Sequence, residues 1–494
     1  MIKKVMIMRE EQAQDLEGLI ANLNLHSDLK PGSSFYVDVD NARNAPGDAS
    51  VRQLLVRTLQ YRAKTNGIDA DGFAYEKLLL AGHRASGKTT ELRKVAKELE
   101  DSYYIIYVSN IERLASRFEE EQDFLYYLIE YVISSIKDDK VLSNSVVRDL
   151  KKLYKYFEDK IFSVVQEEKL IVFNRAADIE AGVDAESKAS LFAAIGSIFT
   201  KLSAKAGFES NTKEKITKSI KNNFQEFMDY ANSILRHVNT ELRKQGKTLL
   251  LILDGLDKLD EDRAKPLFLN SDVMLPQLEC SMVVTFPIYL LYSPNKNIAT
   301  AQYDRDPYVL SMIKVHDKDG KPYLPGIIAM REIARRRFNT DTLLSKEFSF
   351  DKYPEASFDY HSLPDYNGVL DVAIMMSGGN LRDFFKLLTS SAENVVIFGK
   401  DMITDEDLVN AMNRLRSEYI RRYTKSYESI MTEVLESKEK DIVVRENPQD
   451  DTLLNIFNAG LLIEYNGTRW CDIHPLMRDY IRRRIDRNKT IHDA

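Results

Sequence analysis

Cysteine is scarce in this 494-residue sequence: two residues, Cys280 and Cys471, stand far apart and without metal-ligand spacing. That excludes a disulfide framework and a thiolate metal site, and points to a reducing, cytoplasmic compartment. The seven histidines are scattered, so no metal cluster and no nucleophile–base pair emerges from them. Long apolar runs are missing too. The longest, "CSMVVTFPIYLLY", is too short to span a bilayer and carries a proline. The opening "MIKKVMIMREEQAQ" has no apolar core of signal-peptide length. There is no basic excess: the formal net charge is −7, so any nucleic-acid contact has to come from a local patch. What remains is an ordinary globular composition, 44% hydrophobic and 29% charged, long enough for two to four domains.

One stretch carries chemistry. "AGHRASGKTTEL", residues 81 to 92, places Gly82, Gly87, Lys88 and Thr89 in the spacing of a phosphate-binding loop. The apolar "KLLLAG" before it has strand length. After it, "TTELRKVAKELE" repeats Leu92, Val95, Ala96 and Leu99 at helical spacing. Strand, glycine loop and helix together aim backbone N–H groups and a helix N-terminus at phosphate oxygens, and glycine lets the backbone approach an anion closely. The loop residues Gly82, His83, Arg84, Ala85, Ser86, Gly87, Lys88, Thr89 and Thr90 are therefore expected to cradle a nucleoside triphosphate. Lys88 is expected on the β and γ phosphates and the Thr89 hydroxyl on Mg2+.

Four further runs read as core strands: "YYIIYVS" (103–109), "TLLLILDGLD" (248–257), "CSMVVTF" (280–286) and "VLSMIKV" (309–315). With "KLLLAG" they predict an α/β fold built on a five-stranded parallel sheet. "SFYVDVD" (34–40) fits either an extra strand or a lead-in to the nucleotide site. The interval between the second and third strands is far longer than a crossover needs and reads as helix, which implies a large helical insertion over about 113–245. Inside it, "ASLFAAIGSIFTKLSAKAG" (189–207) fits a membrane-surface or partner-binding helix, or a helix packed within the insertion. The expected division is a lead-in segment 1–74, a nucleotide-binding core 75–325, a helical lid 326–400 and a winged-helix domain 401–494. The lid contains Ser377-Gly378-Gly379-Asn380, with Asn380 as N-cap of a helix starting at Leu381. Near the C-terminus "LLIEY" and "RWCDIHP" flank Asn466-Gly467, a hairpin signal.

Hydrolysis needs more than a loop. Asp254, at the tip of an apolar strand, is the candidate partner of Thr89 in holding Mg2+. Asp257 is the nearest carboxylate able to orient water, and equally fits a helix cap. Thr285, on the next strand, is placed to meet the attacking water or the γ-phosphate, although a threonine inside a strand is also ordinary. Arg382 is placed to reach back from the lid, and is otherwise a solvated arginine. Arg263 and Arg305 are the candidate arginine fingers.

Together these motifs resemble AAA+ P-loop ATPases, most of all the replication-initiator (origin-recognition-like) branch. The likeness covers roughly 75–110 and 245–494, with "SGGNLRDFFKLL" and "MITDEDLVNAMNRL" matching its lid and the helix that follows. The resemblance implies ATP and Mg2+ as ligands. It implies that Lys88, Thr89 and Asp254 are nucleotide and metal residues, Thr285 sensor one and Arg382 sensor two. Gly255 departs from the pattern, standing where many such ATPases carry an acidic base. "LDGLDKL" instead resembles the metal strand of signal-transducing (STAND) ATPases, among them phage-defence proteins. The expected function is a cytoplasmic ATP-dependent switch controlling a protein partner or effector, possible as a homo-oligomer, with bacterial phage defence as the context the likeness implies. The alternatives are a DNA-binding initiator or loader acting through the winged helix, and a nucleotide-binding scaffold without turnover. Residues 401–494 are close to charge-balanced, with one basic cluster at "IRRRIDRNK", and the wing tip offers only Arg469, which favours protein over DNA.

Overall fold

The structure is a computed structural model. It describes residues 10–24, 29–44, 47–64, 68–69, 72–73, 75–112, 121–136, 141–162, 191–198, 210–270, 274–293, 295–303, 305–437, 451–465 and 470–492, without side chains at 68–69, 72–73, 210–213 and 487–492.

Five parallel strands form the central sheet: β1 (Lys77–Gly82), β2 (Tyr103–Val108), β3 (Thr248–Leu253), β4 (Ser281–Pro287) and β5 (Tyr308–Leu310). Their order across the sheet is β2-β3-β4-β1-β5. Alternate side chains serve two cores, as a strand period of two requires. Leu78, Leu80, Leu250, Ile252 and Val283 pack on one face with helices α3 (Val51–Lys64) and α4 (Lys88–Leu99). Leu79, Ala81, Leu249, Leu251, Leu253, Met282 and Val284 pack on the other. Burial on both faces explains why these strands read as unbroken apolar runs. Each such leucine contributes about 1.5–3 kcal/mol on leaving water.

The strand order sets the site. The chain leaves β1 toward the far edge at β2, whereas it leaves β4 in the opposite direction, over β1, to β5. Adjacent strands whose connections diverge open a crevice at their carboxyl ends, where ligands of α/β sheets sit. Here that crevice lies between the ends of β1 and β4.

Strand β5 is shorter than the expected 309–315. Only Tyr308–Leu310 pair with β1; beyond them Met312 joins a cluster with Ile463, Tyr465 and Trp470, and Lys314 N–H donates to Ala42 O (3.1 Å). Those contacts draw the chain off the sheet. Residues 34–39 form no strand. They lead instead into the short helix α2 (Asp40–Arg43) beside the loop.

The interval between β2 and β3 is helical wherever it is described, with α5 (Glu121–Ser135), α6 (Asn144–Tyr156), a helical stretch at 191–198, Ser210–Asn222 and α7 (Phe224–Arg243). Tyr126, Tyr156, Phe157, Phe224 and Phe227 build an aromatic cluster there, with Tyr126 stacked on Phe227 at 4.0 Å. Leu191, Ile195 and Ile198 are buried at helical spacing, so this part of 189–207 is a packed helix; 199–207 lies outside the described residues. Helix α7 is also the buttress of β3: Asn239 Oδ1 accepts the Leu249 N–H at 2.8 Å.

After β5 come α8 (Leu324–Arg337), α9 (Gly368–Met376) and α10 (Leu381–Ile397). Asn380 caps α10, its side chain accepting from the amides of Arg382 (3.0 Å) and Asp383 (3.4 Å). Residues 10–24 pack on the helices after β5. Helix α1 (Leu16–Asn22) packs on α10, and Ala13 exchanges backbone hydrogen bonds with Arg337 and Asn339. The C-terminal part runs α11 (Asp405–Ile420), α12 (Glu428–Ser437) and α13 (Thr452–Asn458), then the antiparallel pair β6 (Leu462–Glu464) and β7 (Cys471–Ile473), then α14 (Pro475–His492). The hairpin expected around Asn466-Gly467 is therefore paired on both sides; its tip, with Arg469, lies outside the described residues. Among the described residues no helix is long and apolar enough to cross a membrane.

Candidate functional site

The loop leaves β1 at Gly82 and enters α4 at Lys88. Two glycines make that turn feasible. A Cβ on Gly82 would meet Leu310 O at 2.6 Å and Ser86 Oγ at 2.9 Å, and Gly87 holds a φ of +92°. Lys88 folds back into the loop, where its Nζ donates to Gly82 O (2.7 Å) and His83 O (2.8 Å) and pairs with Asp257 Oδ2 (2.8 Å). Both side chains of that ion pair are only 5% exposed.

Asp254 follows β3 directly, so the parallel register delivers its carboxylate to the same crevice. Thr89 Oγ1 donates to Asp254 Oδ1 at 3.2 Å and the Tyr107 hydroxyl to Oδ2 at 2.9 Å. Burial, and next the like charge of Asp257, hold the Asp254 carboxyl above its usual range, against the lowering effect of those two hydrogen bonds. Such a carboxyl gains from a cation beside it.

Thr285 lies on β4, fully buried, between the strands that carry Gly82 and Asp254. Its hydroxyl donates to Leu253 O (3.2 Å) and accepts from the amides of Gly255 (2.9 Å) and Asp257 (3.4 Å). The one proton and both lone pairs are thus committed to the turn that presents Asp257. Gly255 itself has no room for a side chain: the Glu112 carboxylate, from the turn after β2, occupies the place of its Cβ. Glu112 Oε1 accepts from Lys258 Nζ (3.1 Å), while Oε2 is buried without a hydrogen bond.

The remaining loop side chains divide by direction. His83 is buried and its Nε2 accepts the Glu464 N–H at 2.8 Å, joining the loop to β6. Arg84 is exposed and reaches Lys258 O at 3.2 Å. Ala85 takes a left-handed φ of 67°, and Ser86 Oγ is buried without a partner. Thr90 lies part-buried on the first turn of α4. Arg382 stands apart. Its guanidinium is exposed and makes no hydrogen bond or ion pair with a described residue, because Asp383 and Phe384 take the buried side of that turn. Of the two arginine-finger candidates, Arg305 pairs with Glu76 at the amino end of β1 and Arg263 with Asp260 at the start of its own helix.

Sequence reading missed Arg43, Tyr107, Glu112 and the Glu464 contact of His83. Each is brought in by a segment remote in sequence, and no local spacing signals it.

These residues fit a magnesium nucleotide. Among the described residues no group of His, Cys, Asp and Glu suffices to hold a metal alone. Mg2+, however, ordinarily takes one or two protein groups and completes its shell with phosphate and water, and Thr89 with Asp254 is such a pair. Ser86 Oγ, Asp257 Oδ1, Glu112 Oε2 and two nitrogens of Arg43 are buried around the loop without hydrogen-bond partners. Orphaned polar atoms of this kind are ones that a polar ligand would satisfy.

No family model matches the sequence, and no curated protein is similar to it. Among solved structures the chain is similar to the Orc1 protein of Aeropyrum pernix, determined in complex with DNA, at 12% identity. The similarity covers 89% of this chain and 95% of that chain, with a TM-score of 0.29. At so low a score the two backbones do not superpose closely, and the reading of the loop rests on this chain's own atoms.

Proposed function

We propose that the chain is a P-loop ATPase of AAA+ type that works as a molecular switch. The observation that carries the reading is the convergence of Lys88, Thr89, Asp254 and Asp257 at the carboxyl end of the parallel sheet, with Lys88 held by groups that an anion would displace. Thr89 and Asp254 would hold Mg2+, and the loop from Gly82 to Thr90 would hold the phosphates. A bound magnesium ion would neutralise phosphate charge. ATP, rather than another nucleoside triphosphate, is carried by the AAA+ resemblance. Glu112 takes the place of the acid that position 255 lacks, with Asp257 restraining Lys88 and assisting. Arg382 would reach the nucleotide only after lid movement. In this reading residues 75–325 are the ATPase core, 326–400 the lid and 401–494 a winged-helix domain.

His83 supports the switch. Its carbonyl accepts from Lys88, and its ring accepts from Glu464. A nucleotide that recruits Lys88 therefore removes one bond to the His83 carbonyl, while the ring of the same residue bonds to the C-terminal hairpin. Tyr292, just past β4, strengthens the same contact by stacking on Phe457 at 3.8 Å and donating to the Glu464 carboxylate. Through that hairpin domain the chain would control a protein partner. Two basic residues of α14 are engaged within the fold, Arg483 with Asp479 and Arg484 with Glu428.

Hydrogen exchange on the full chain tests this. Mg·ATP should change protection across 452–486 in the native protein, not in Lys88→Ala, and much less in His83→Ala, which should still bind nucleotide. Equal ATP affinity in Lys88→Ala would remove the site. A nucleotide response that persists in His83→Ala would remove the route. Duplex DNA affinity that falls steeply with salt and is lost on neutralising Arg482 to Arg484 would favour the initiator reading instead.

A further inference from the structure

A buried arginine next to the loop feels the charge of Glu91, and next of Asp40, but makes no ion-pair contact with either. Arg43 ends α2, is 3% exposed, and leaves Nε and Nη1 without hydrogen-bond partners. Its Nη2 lies 3.2 Å from the point where a Cβ on Gly87 would stand, so the guanidinium abuts the glycine that opens α4. The nearby acids are shared with Arg52, and Glu91 Oε2 is itself buried without a hydrogen bond. Arg52 reaches Glu91 (3.3 Å), Asp38 (3.5 Å), Asp40 (3.5 Å) and Glu98 (2.5 Å), and the Tyr36 hydroxyl lies 3.5 Å from Glu91 Oε1. Buried guanidinium nitrogens without hydrogen bonds are an unfavourable arrangement. These stand beside the N-terminus of α4, whose dipole is positive. An anion there would satisfy both.

We infer that Arg43 is a nucleotide ligand, donating from its guanidinium to a phosphate oxygen of the molecule cradled by Gly82–Thr90. This rests on the proposed nucleotide site and adds a residue to it. The segment from Ser34 to Arg43 thereby becomes one wall of the site, and binding orders it. Backbone contacts already hold α2 where it can do this: Lys314 N–H donates to Ala42 O at 3.1 Å, just past β5. The planar fork of arginine suits phosphate, and a charge-assisted bond of this kind changes affinity by about 10- to 100-fold.

The test is calorimetric titration of the full chain with Mg·ATP and Mg·ADP, in native protein, Arg43→Gln and Arg43→Lys, with thermal unfolding of each without nucleotide. Arg43→Gln should weaken both nucleotides about 10- to 100-fold, Arg43→Lys less. The melting temperature of Arg43→Gln without nucleotide should stay about level, because the loss of two unbonded buried nitrogens offsets the loss of attraction to Glu91. Native-like affinity in Arg43→Gln, with or without a lower melting temperature, overturns the assignment and makes Arg43 a structural partner of Glu91. If native protein binds neither nucleotide, the proposed function falls and this with it; if it binds and Arg43→Gln binds equally, only the ligand role falls. Should Arg43→Gln not fold, hydrogen exchange on native protein decides. Amides 40–44 should be protected by ADP, and an unchanged rate refutes the inference.

Discussion

Replacing Asp257 by Asn isolates the contest for Lys88. In the structure Lys88 Nζ sits 2.8 Å from Asp257 Oδ2, with both side chains nearly sealed from water. Removing the carboxylate's charge leaves Lys88 its two carbonyl partners, Gly82 O and His83 O. A charge-assisted hydrogen bond is worth about 1.5–3 kcal/mol, so the nucleotide-free state should lose stability of that order. A phosphate that captures Lys88 breaks the pair in the native protein and breaks nothing in Asp257→Asn. The destabilisation of the free state therefore reappears as affinity. At about 1.4 kcal/mol per factor of ten, Mg·ADP and Mg·ATP should bind about 10- to 100-fold tighter to Asp257→Asn. The buried, unpaired Asp257 Oδ1 assists turnover in this scheme, so hydrolysis should slow even as binding tightens. Titration calorimetry with ADP gives affinity free of turnover, and denaturant unfolding gives the free-state loss. Equal or weaker ADP affinity in Asp257→Asn would refute the idea that this pair competes with phosphate.

Three further outcomes are expected. Glu112→Gln should keep ATP affinity within about threefold and lower kcat by at least about 100-fold, the usual scale for a general base; unchanged steady-state hydrolysis would leave Glu112 as a mere partner of Lys258. Thr285→Val keeps the shape of the side chain but orphans the amides of Gly255 and Asp257, and should cost about 1–3 kcal/mol in denaturant unfolding. A loss under 0.5 kcal/mol, against the order of 1 kcal/mol set by an unsatisfied amide, would show that water replaces the hydroxyl. Glu121 is pushed up to about 7 from 4.5, mainly by burial and against hydrogen bonds from the amides of Met274 and Leu275. Its protonated form is thus favoured in the folded state. That contribution is complete below 4.5 and lost as pH rises through about 7, roughly 3 kcal/mol at most. Glu121→Gln should flatten the decline in stability between pH 5 and 8, and an unaltered pH profile would count against the shift.

What the sequence made legible was local. The loop announces itself because its glycines, lysine and threonine act within nine residues, and its flanking strand and helix obey their own periodicities. The core strands stand out because both faces are buried, and Asn380 because capping is a one-turn interaction. The fifth strand was overextended, since Met312 and Ile313 look like strand residues yet are buried for another reason, Met312 in a cluster with the C-terminal hairpin and Ile313 against the turn at Gly379. Arg43 and Glu112 were invisible because their meaning depends on which glycine they face. The His83 contact joins residues 381 positions apart and has no counterpart in any spacing. Thr285 was found but assigned by position on its strand; the direction of its hydroxyl is set by the turn at Gly255, which a periodicity does not encode.

Helix α7 gives the molecule a mechanical property. It is a continuous 20-residue rod, about 30 Å long at 1.5 Å per residue. At one end Phe224 and Phe227 are locked into the aromatic cluster of the insertion, and near the other Asn239 is bolted to the backbone of the strand that ends at Asp254. A load taken up by the insertion is therefore delivered, without an intervening hinge, to the root of the strand whose tip carries Asp254, as a crankshaft delivers torque.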